Sequence, residues 1–209
     1  FVKEMCGIAG IYNFSLREKI SREEIIKINN AMLKRGPDGE GYWFSSDEYL
    51  ALSHRRLAIL DPTTDGSQPM VSRDGRYVIS FNGEIYNYPD LRRQLENLGI
   101  GLKTKTDTET LLELYALRGK TLFKELRGMF AFIIWDRKLK ELICARDPYG
   151  IKPLYYYFDG KSFKVASQVK ALIAGNQISQ EKDPAALVGF YLTGSVPEPL
   201  TMYKAIKSL

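Results

Sequence analysis

Cys6 follows Met5 directly and opens the apolar, glycine-punctuated run Gly7-Ile8-Ala9-Gly10-Ile11-Tyr12. If the residues before it were removed, Cys6 would carry a free α-amine beside its own thiol. Such an amine titrates near about 7.7–8.0. At neutral pH it can take the thiol proton, so one residue would supply both nucleophile and base. The competing reading is a small buried hydrophobe near the end of a strand. Asn82-Gly83 offers a side-chain amide next to a glycine N–H, two donors able to converge on one oxygen as an oxyanion hole, with no Cβ at Gly83 to block a substrate. The same dipeptide between apolar runs is also a hairpin signal. Arg55 and Arg56 interrupt the run from Leu50 to Leu60. Either they alternate toward solvent, or one guanidinium enters a pocket and grips a carboxylate through paired hydrogen bonds. Asp107 opens a helix, where the dipole favours a carboxylate. It is also the partner a substrate ammonium would want.

Composition narrows the field. A chain of 209 residues, 44% hydrophobic and 26% charged, can bury a substantial core as a soluble globular protein. No apolar run approaches the length needed to span a bilayer. The net charge of +5 is spread along the chain without a Lys/Arg block, which argues against nucleic-acid binding. Cys6 and Cys144 are the only cysteines, and with no signal peptide they point to a reducing, cytoplasmic setting. The single histidine, His54, excludes sites built on several histidines and makes a structural zinc site untenable; no metal site is expected. A Cys–His dyad would need His54, and a packing role beside Arg55 and Arg56 is at least as good a reading. No phosphate loop or dinucleotide fingerprint is present, so ATP chemistry is not visible in these residues.

The elements that would position these groups can be read from periodicity. Strands are expected over Gly7–Phe14, Gly41–Phe44, Leu50–Leu60 and Arg76–Phe81, and over Met129–Trp135, centrally placed because it is apolar on both faces. Leu142–Ala145 carries Cys144, read as packing, and Leu154–Phe158 and Phe163–Ala166 form a hairpin across Asp159-Gly160. Capping boxes at Ser21–Glu24 and Thr106–Glu109 open helices. Ile25, Ile28, Met32 and Leu33 face inward on the first, and Leu111, Leu114, Tyr115 and Leu117 on the second. Pro89 begins a helix with an apolar stripe of Leu91, Leu95 and Leu98, stopped at Gly99. Short helical pieces are expected at Leu122–Leu126 and Ser167–Leu172, and Asp183-Pro184 caps a last helix through Leu192. Strands come in sequential groups with two helices inserted, which favours antiparallel sheets covered by helices, an α+β fold.

With these residues in view, the chain resembles the class II glutamine amidotransferase domain of glutamine-hydrolysing asparagine synthetases. The resemblance is carried by Cys6-Gly7-Ile8-Ala9-Gly10, Arg35-Gly36-Pro37-Asp38 and His54-Arg55-Arg56-Leu57-Ala58-Ile59. It continues through Phe81-Asn82-Gly83-Glu84-Ile85-Tyr86-Asn87 and Ala145-Arg146-Asp147 with Tyr149-Gly150-Ile151-Lys152-Pro153-Leu154. It implies a four-layered αββα fold of the N-terminal nucleophile hydrolase type and hydrolysis of L-glutamine to glutamate and ammonia. Cys6 would be the nucleophile, with its α-amine as proton shuttle, and Asn82 and Gly83 the oxyanion hole. Arg56 would hold the glutamine α-carboxylate and Asp107 its α-amino group, with backbone near Leu57, Ile59 and Glu84 completing the pocket.

Residues 1–5 are expected to be a leader, whether a misplaced start, a cloning remnant or a propeptide, because the family nucleophile must be N-terminal. Residues 6–192 are the glutaminase domain, and 193–209 a linker toward a synthetase domain of the same chain. The resemblance implies that this partner domain uses ATP and magnesium to make asparagine from aspartate, while the present residues need no cofactor. Another ammonia acceptor, or a non-catalytic binding domain that retains its leader, are the alternative readings. A homodimer is left open.

Overall fold

The computed structural model describes residues 5–57, 66–175 and 177–209. Two antiparallel sheets form its centre. One contains β1 (Gly7–Tyr12), β2 (Gly39–Phe44), β3 (Leu50–Arg56), β8 (Tyr155–Phe158), β9 (Phe163–Ala166) and β10 (Ile206–Ser208), in the spatial order β10-β8-β9-β1-β3-β2. The other holds β4 (Met70–Val71), β5 (Tyr77–Ile85), β6 (Gly128–Asp136) and β7 (Glu141–Arg146), in that order. The helices are α1 (Arg22–Asn30), α2 (Tyr88–Asn97), α3 (Asp107–Arg118), α4 (Val169–Ala174) and α5 (Pro184–Thr193).

Strand alternation sorts the core into layers. Ala9 and Ile11 of β1 pack with Ile25 and Ile28 of α1 and Leu172 of α4. Ile8, Leu50 and Leu52 meet Val78, Ala131, Ile133 and Trp135 between the two sheets. Ile79, Phe81, Phe132 and Ile134 pack beneath Leu91 and Leu95 of α2 and Leu111 and Leu114 of α3. The result is an αββα sandwich, with two antiparallel sheets between helical layers. A buried ion pair between Lys164 on β9 and Glu24 on α1 fixes the first helix to its sheet.

Both helix starts are capped as expected on one side only. Ser21 Oγ accepts from Glu24 N and Thr106 Oγ1 from Glu109 N, but neither glutamate reaches back. Glu24 is taken by Lys164, and Glu109 accepts from Lys103 N and Thr104 N at 2.8 and 2.6 Å. Leu33, Leu98 and Leu117, expected on buried faces, are exposed. Leu33 and Leu98 lie just past the ends of α1 and α2, and Leu117 in the last turn of α3. The piece at Leu122–Leu126 is a 3-10 turn over Gly119–Lys124. The strand expected over Leu50–Leu60 is seen through Arg56, and residues 58–65 lie outside the described ones. Within the segment read as linker, Ile206–Ser208 pairs with β8 as an edge strand.

The hairpin reading of Asn82-Gly83 is overturned. β5 runs without interruption through both residues, paired with β6 from Tyr77↔Asp136 to Ile85↔Gly128. The local turn signal loses to nine consecutive residues of cross-strand pairing.

Candidate active site

Cys6 sits immediately before β1, and the loop ahead of β2 is pressed against it. A Cβ on Gly36 would lie 2.4 Å from the Arg55 carbonyl carbon, and Asp38 N donates to Arg56 O at 3.0 Å. That close approach carries Arg35 to the nucleophile, where its Nε donates to the Cys6 carbonyl at 2.9 Å. Gly7 is small for a similar reason: its Cβ would stand 3.0 Å from Met32 Cβ.

The Cys6 sulfur accepts from Leu57 N at 3.3 Å. Burial pushes the thiol up, and four influences oppose it: the Leu57 contact and the charges of Arg35, Lys152 and Arg56. Burial outweighs them, so the thiol is raised overall, although these groups would favour its thiolate. His54 does not complete a dyad with it. Its Nε2 faces Phe81 O at 3.2 Å, joining β3 to β5, and burial above all lowers it to about 4, so the ring is neutral.

That contact ties β3 to β5 one residue from Asn82. Along β5, Tyr77, Ile79, Phe81 and Ile85 point to the helical side. Val78 faces the other sheet, and Ser80 Oγ donates across to Ser53 O at 2.9 Å. Alternation puts Asn82 in this second set, toward the sheet that carries Cys6. Asn82 is 1% exposed, and its Nδ2 is buried with no hydrogen-bond partner. A buried amide donor left unpaired costs about 1–3 kcal/mol, so it is poised to receive an acceptor. Gly83 follows, but its missing Cβ serves another purpose than the one expected. A Cβ there would lie 2.4 Å from Met129 O and 2.7 Å from Phe130 Cα, so β6 by itself demands the glycine.

Asp107 is the first residue of α3 and is 4% exposed. Its Oδ2 accepts from Ile85 N at 3.0 Å, which attaches the helix start to the end of β5. Burial raises its carboxyl to about 6; Ile85 and Thr108 N–H groups pull it down, and neighbouring Glu84 raises it. Glu84 is exposed on β5 beside it. Arg56 ends β3, partly buried and adjacent to Leu57. Ile59 falls outside the described residues. The structure thus brings Cys6 to Leu57, and Glu84 to Asp107, with Asn82 and Gly83 on the strand that leads to Asp107. Two cations at the thiol, Arg35 and Lys152, were quoted in the sequence motifs without being assigned a role. Among the described residues no group of three or more His, Cys, Asp or Glu could hold a metal ion, and no helix is long and apolar enough to cross a membrane.

Comparisons with known proteins bear on the family and the fold. Asparagine synthetase [glutamine-hydrolyzing] 1 of Bacillus subtilis is 42% identical over 208 residues, 98% of this chain and 32% of the relative. A putative asparagine synthetase [glutamine-hydrolyzing] 2 of Methanocaldococcus jannaschii is 39% identical over 220 residues, 96% of this chain and 41% of the relative. The chain therefore spans well under half the length of these relatives. Among solved structures, glutamine phosphoribosylpyrophosphate amidotransferase from B. subtilis superposes with a TM-score of 0.71 at 24% identity. That match covers 86% of this chain and 46% of that one, and it supports the fold. The model of the glutamine amidotransferase domain matches residues 5–209, and the chain belongs to that family.

Proposed function

We propose that this domain hydrolyses L-glutamine to glutamate and ammonia. The observation that carries the reading is the buried, unpartnered Nδ2 of Asn82 on the β5 face turned toward the sheet of Cys6. The Cys6 thiol attacks the side-chain amide carbon of glutamine, and its proton passes through the freed α-amine of Cys6 to the departing nitrogen. Carbon–sulfur bond formation and carbon–nitrogen cleavage give a thioester and ammonia. Water then attacks the thioester, the carbon–sulfur bond breaks, and the thiol regains a proton. Asn82 Nδ2 and Gly83 N–H hold the negative oxygen that develops in each step. Arg56 binds the substrate carboxylate as a cation matched to a planar anion. Asp107 binds the substrate ammonium, which offsets the unfavourable burial of its own charge. The chain supplies the thiol and its donors; no metal is needed for this chemistry.

In this sequence the Cys6 nitrogen is in a peptide bond with Met5. The mechanism therefore requires release of residues 1–5. Ammonia then passes to a synthetase domain, which uses ATP and magnesium to make asparagine from aspartate in the cytoplasm. Support for that acceptor is the naming of the longer relatives as glutamine-hydrolysing asparagine synthetases. The test is ammonia release from glutamine by a chain beginning at Cys6, compared with the chain as written. Activity in the first alone is expected. No turnover from either chain, even with the full-length partner domain attached, would overturn the reading in favour of a binding domain. A full-length protein that releases ammonia without making asparagine would assign another acceptor.

A further inference from the structure

The Arg146–Lys152 loop is a motif to which the chemistry above gives no part, and its bonding presents Lys152 toward the nucleophile. Asp147 takes Phe130 N and Lys152 N on Oδ2 at 3.2 and 2.9 Å, and Tyr149 N and Ile151 N on Oδ1 at 3.1 and 2.9 Å. Arg146 closes the other side, with Nε donating to Lys152 O at 3.0 Å and Nη2 to Gly150 O at 2.6 Å. Gly150 has φ +62°, and a Cβ there would lie 2.4 Å from Arg146 Nη2. Glycine is therefore required for the loop to fold over the guanidinium.

Lys152 emerges from this frame 5% exposed. Its ammonium has three protons to donate, and the hydrogen bond seen for it goes to Met5 Sδ at 3.0 Å. A thioether is a weak acceptor for a buried cation. Met5 is the residue whose removal would free the Cys6 amine, so the lysine contacts the residue that would leave. Cys6 and Lys152 also act on each other electrostatically.

Resting on the glutaminase reading, we propose that Lys152 is a positioning residue for the nucleophile: after residues 1–5 are released, its buried ammonium holds the Cys6 α-amine uncharged and ready to accept the thiol proton. A neighbouring cation disfavours the protonated amine, and the neutral amine offers a lone pair that accepts from the lysine better than a thioether does. The same charge favours the thiolate. Charged groups on the surrounding elements set the balance. Arg35, in the loop after α1, and Arg56, at the end of β3, add to the positive field at the sulfur. Burial and Arg35 lower the lysine's own affinity for its proton, while Cys6, Glu84 on β5 and Asp147 restore it. Arg35 already donates its Nε to the Cys6 carbonyl, whereas the ammonium of Lys152 meets residue 5.

The experiment uses a chain beginning at Cys6, with the α-amine titrated directly by NMR of labelled Cys6 and glutamine turnover followed across pH. In Lys152→Met the amine midpoint and the acid limb of kcat/KM should both move up by about 1–2 pH units. Lys152→Arg, which keeps the charge, should restore the parent profile. Lys152→Gln, which keeps a donor without charge, gives the same reading if the methionine variant does not fold. An amine midpoint unmoved in a folded, active, neutral variant overturns the proposal. A parent chain without turnover whose midpoint still moves on substitution overturns the glutaminase reading and leaves the lysine's coupling standing.

Discussion

Two regions of this molecule each hold one cysteine and one buried aspartate, and they use them in opposite ways. Around the start of β1 and α3, Cys6 lies among three cations and a backbone N–H, and Asp107 is raised to about 6 by burial that its hydrogen bonds do not offset. In β7 and the loop after it, burial alone pushes Cys144 up to about 12. Asp147, with equally little exposed surface but a smaller burial penalty, ends below its ordinary value because four backbone N–H groups outweigh that penalty. The second region is satisfied: its carboxylate is saturated with donors and its thiol is inert. The first carries unmet demands, an acid short of donors and an amide without an acceptor. The two aspartates expose equally little surface, but Asp107 is set among many more protein atoms, so burial and the donors each finds both make the difference.

The sharpest way to break the contrast is at the cysteines. In the chain that begins at residue 6, Cys6→Ala should remove ammonia release by more than about 1,000-fold, as loss of a nucleophile does. Cys144→Ala should leave turnover within about twofold, because nothing polar acts on its sulfur. Comparable losses in the two variants would end the distinction. Next in size is Asn82→Ala, expected to lower kcat by about 100–1,000-fold with KM little changed. A rise confined to KM would move Asn82 from the reacting oxygen to the rest of the substrate. Third, Asp107→Asn should raise KM for glutamine by about 10–100-fold through loss of a charged hydrogen bond. Asp147→Asn should leave KM alone in whatever fraction folds, since its oxygens serve the loop's backbone. Steady-state kinetics on the two variants decides between these outcomes.

The satisfied region was the easier one to read in sequence. Apolar residues on both faces identified β6 as central, and Asp159-Gly160 marked the β8–β9 turn, because those signals are local. The site was legible as residue types, less so as geometry. Asn82-Gly83 is ambiguous until β6 is known to pair across it, through the pairs Gly83↔Phe130 and Asn82↔Ala131, 47 and 49 residues apart along the chain. The reason for Gly83 was hidden for the same cause, since Met129 and Phe130 supply the atoms that exclude a Cβ. Arg35 could be quoted as part of a motif but not placed on the Cys6 carbonyl, because the close approach at Gly36 that brings it there is tertiary. β10 escaped notice because three residues at a sheet edge carry too little periodicity to register.

The smallest effect separates the two aspartates most cleanly, because it gives them opposite signs. Asp107 has a folded value of about 6 against about 3.9 when unfolded. Its contribution to stability is fully present below about 3.9 and is lost as pH rises through about 6, a change of about 2–3 kcal/mol. Asp147 is shifted down, so its contribution is present above the unfolded value and is lost as pH falls. Urea unfolding from about pH 2.5 to 7.5 should therefore show Asp107→Asn gaining on the parent as pH rises above about 4, and Asp147→Asn losing ground as pH rises toward about 4. Saturating glutamine should erase the Asp107 slope, because a bound ammonium returns the carboxylate to its charged form without penalty. Slopes of the same sign would mean that both acids are structural. A glutamine-insensitive slope at Asp107 would keep the contrast in burial but remove the ammonium from its explanation.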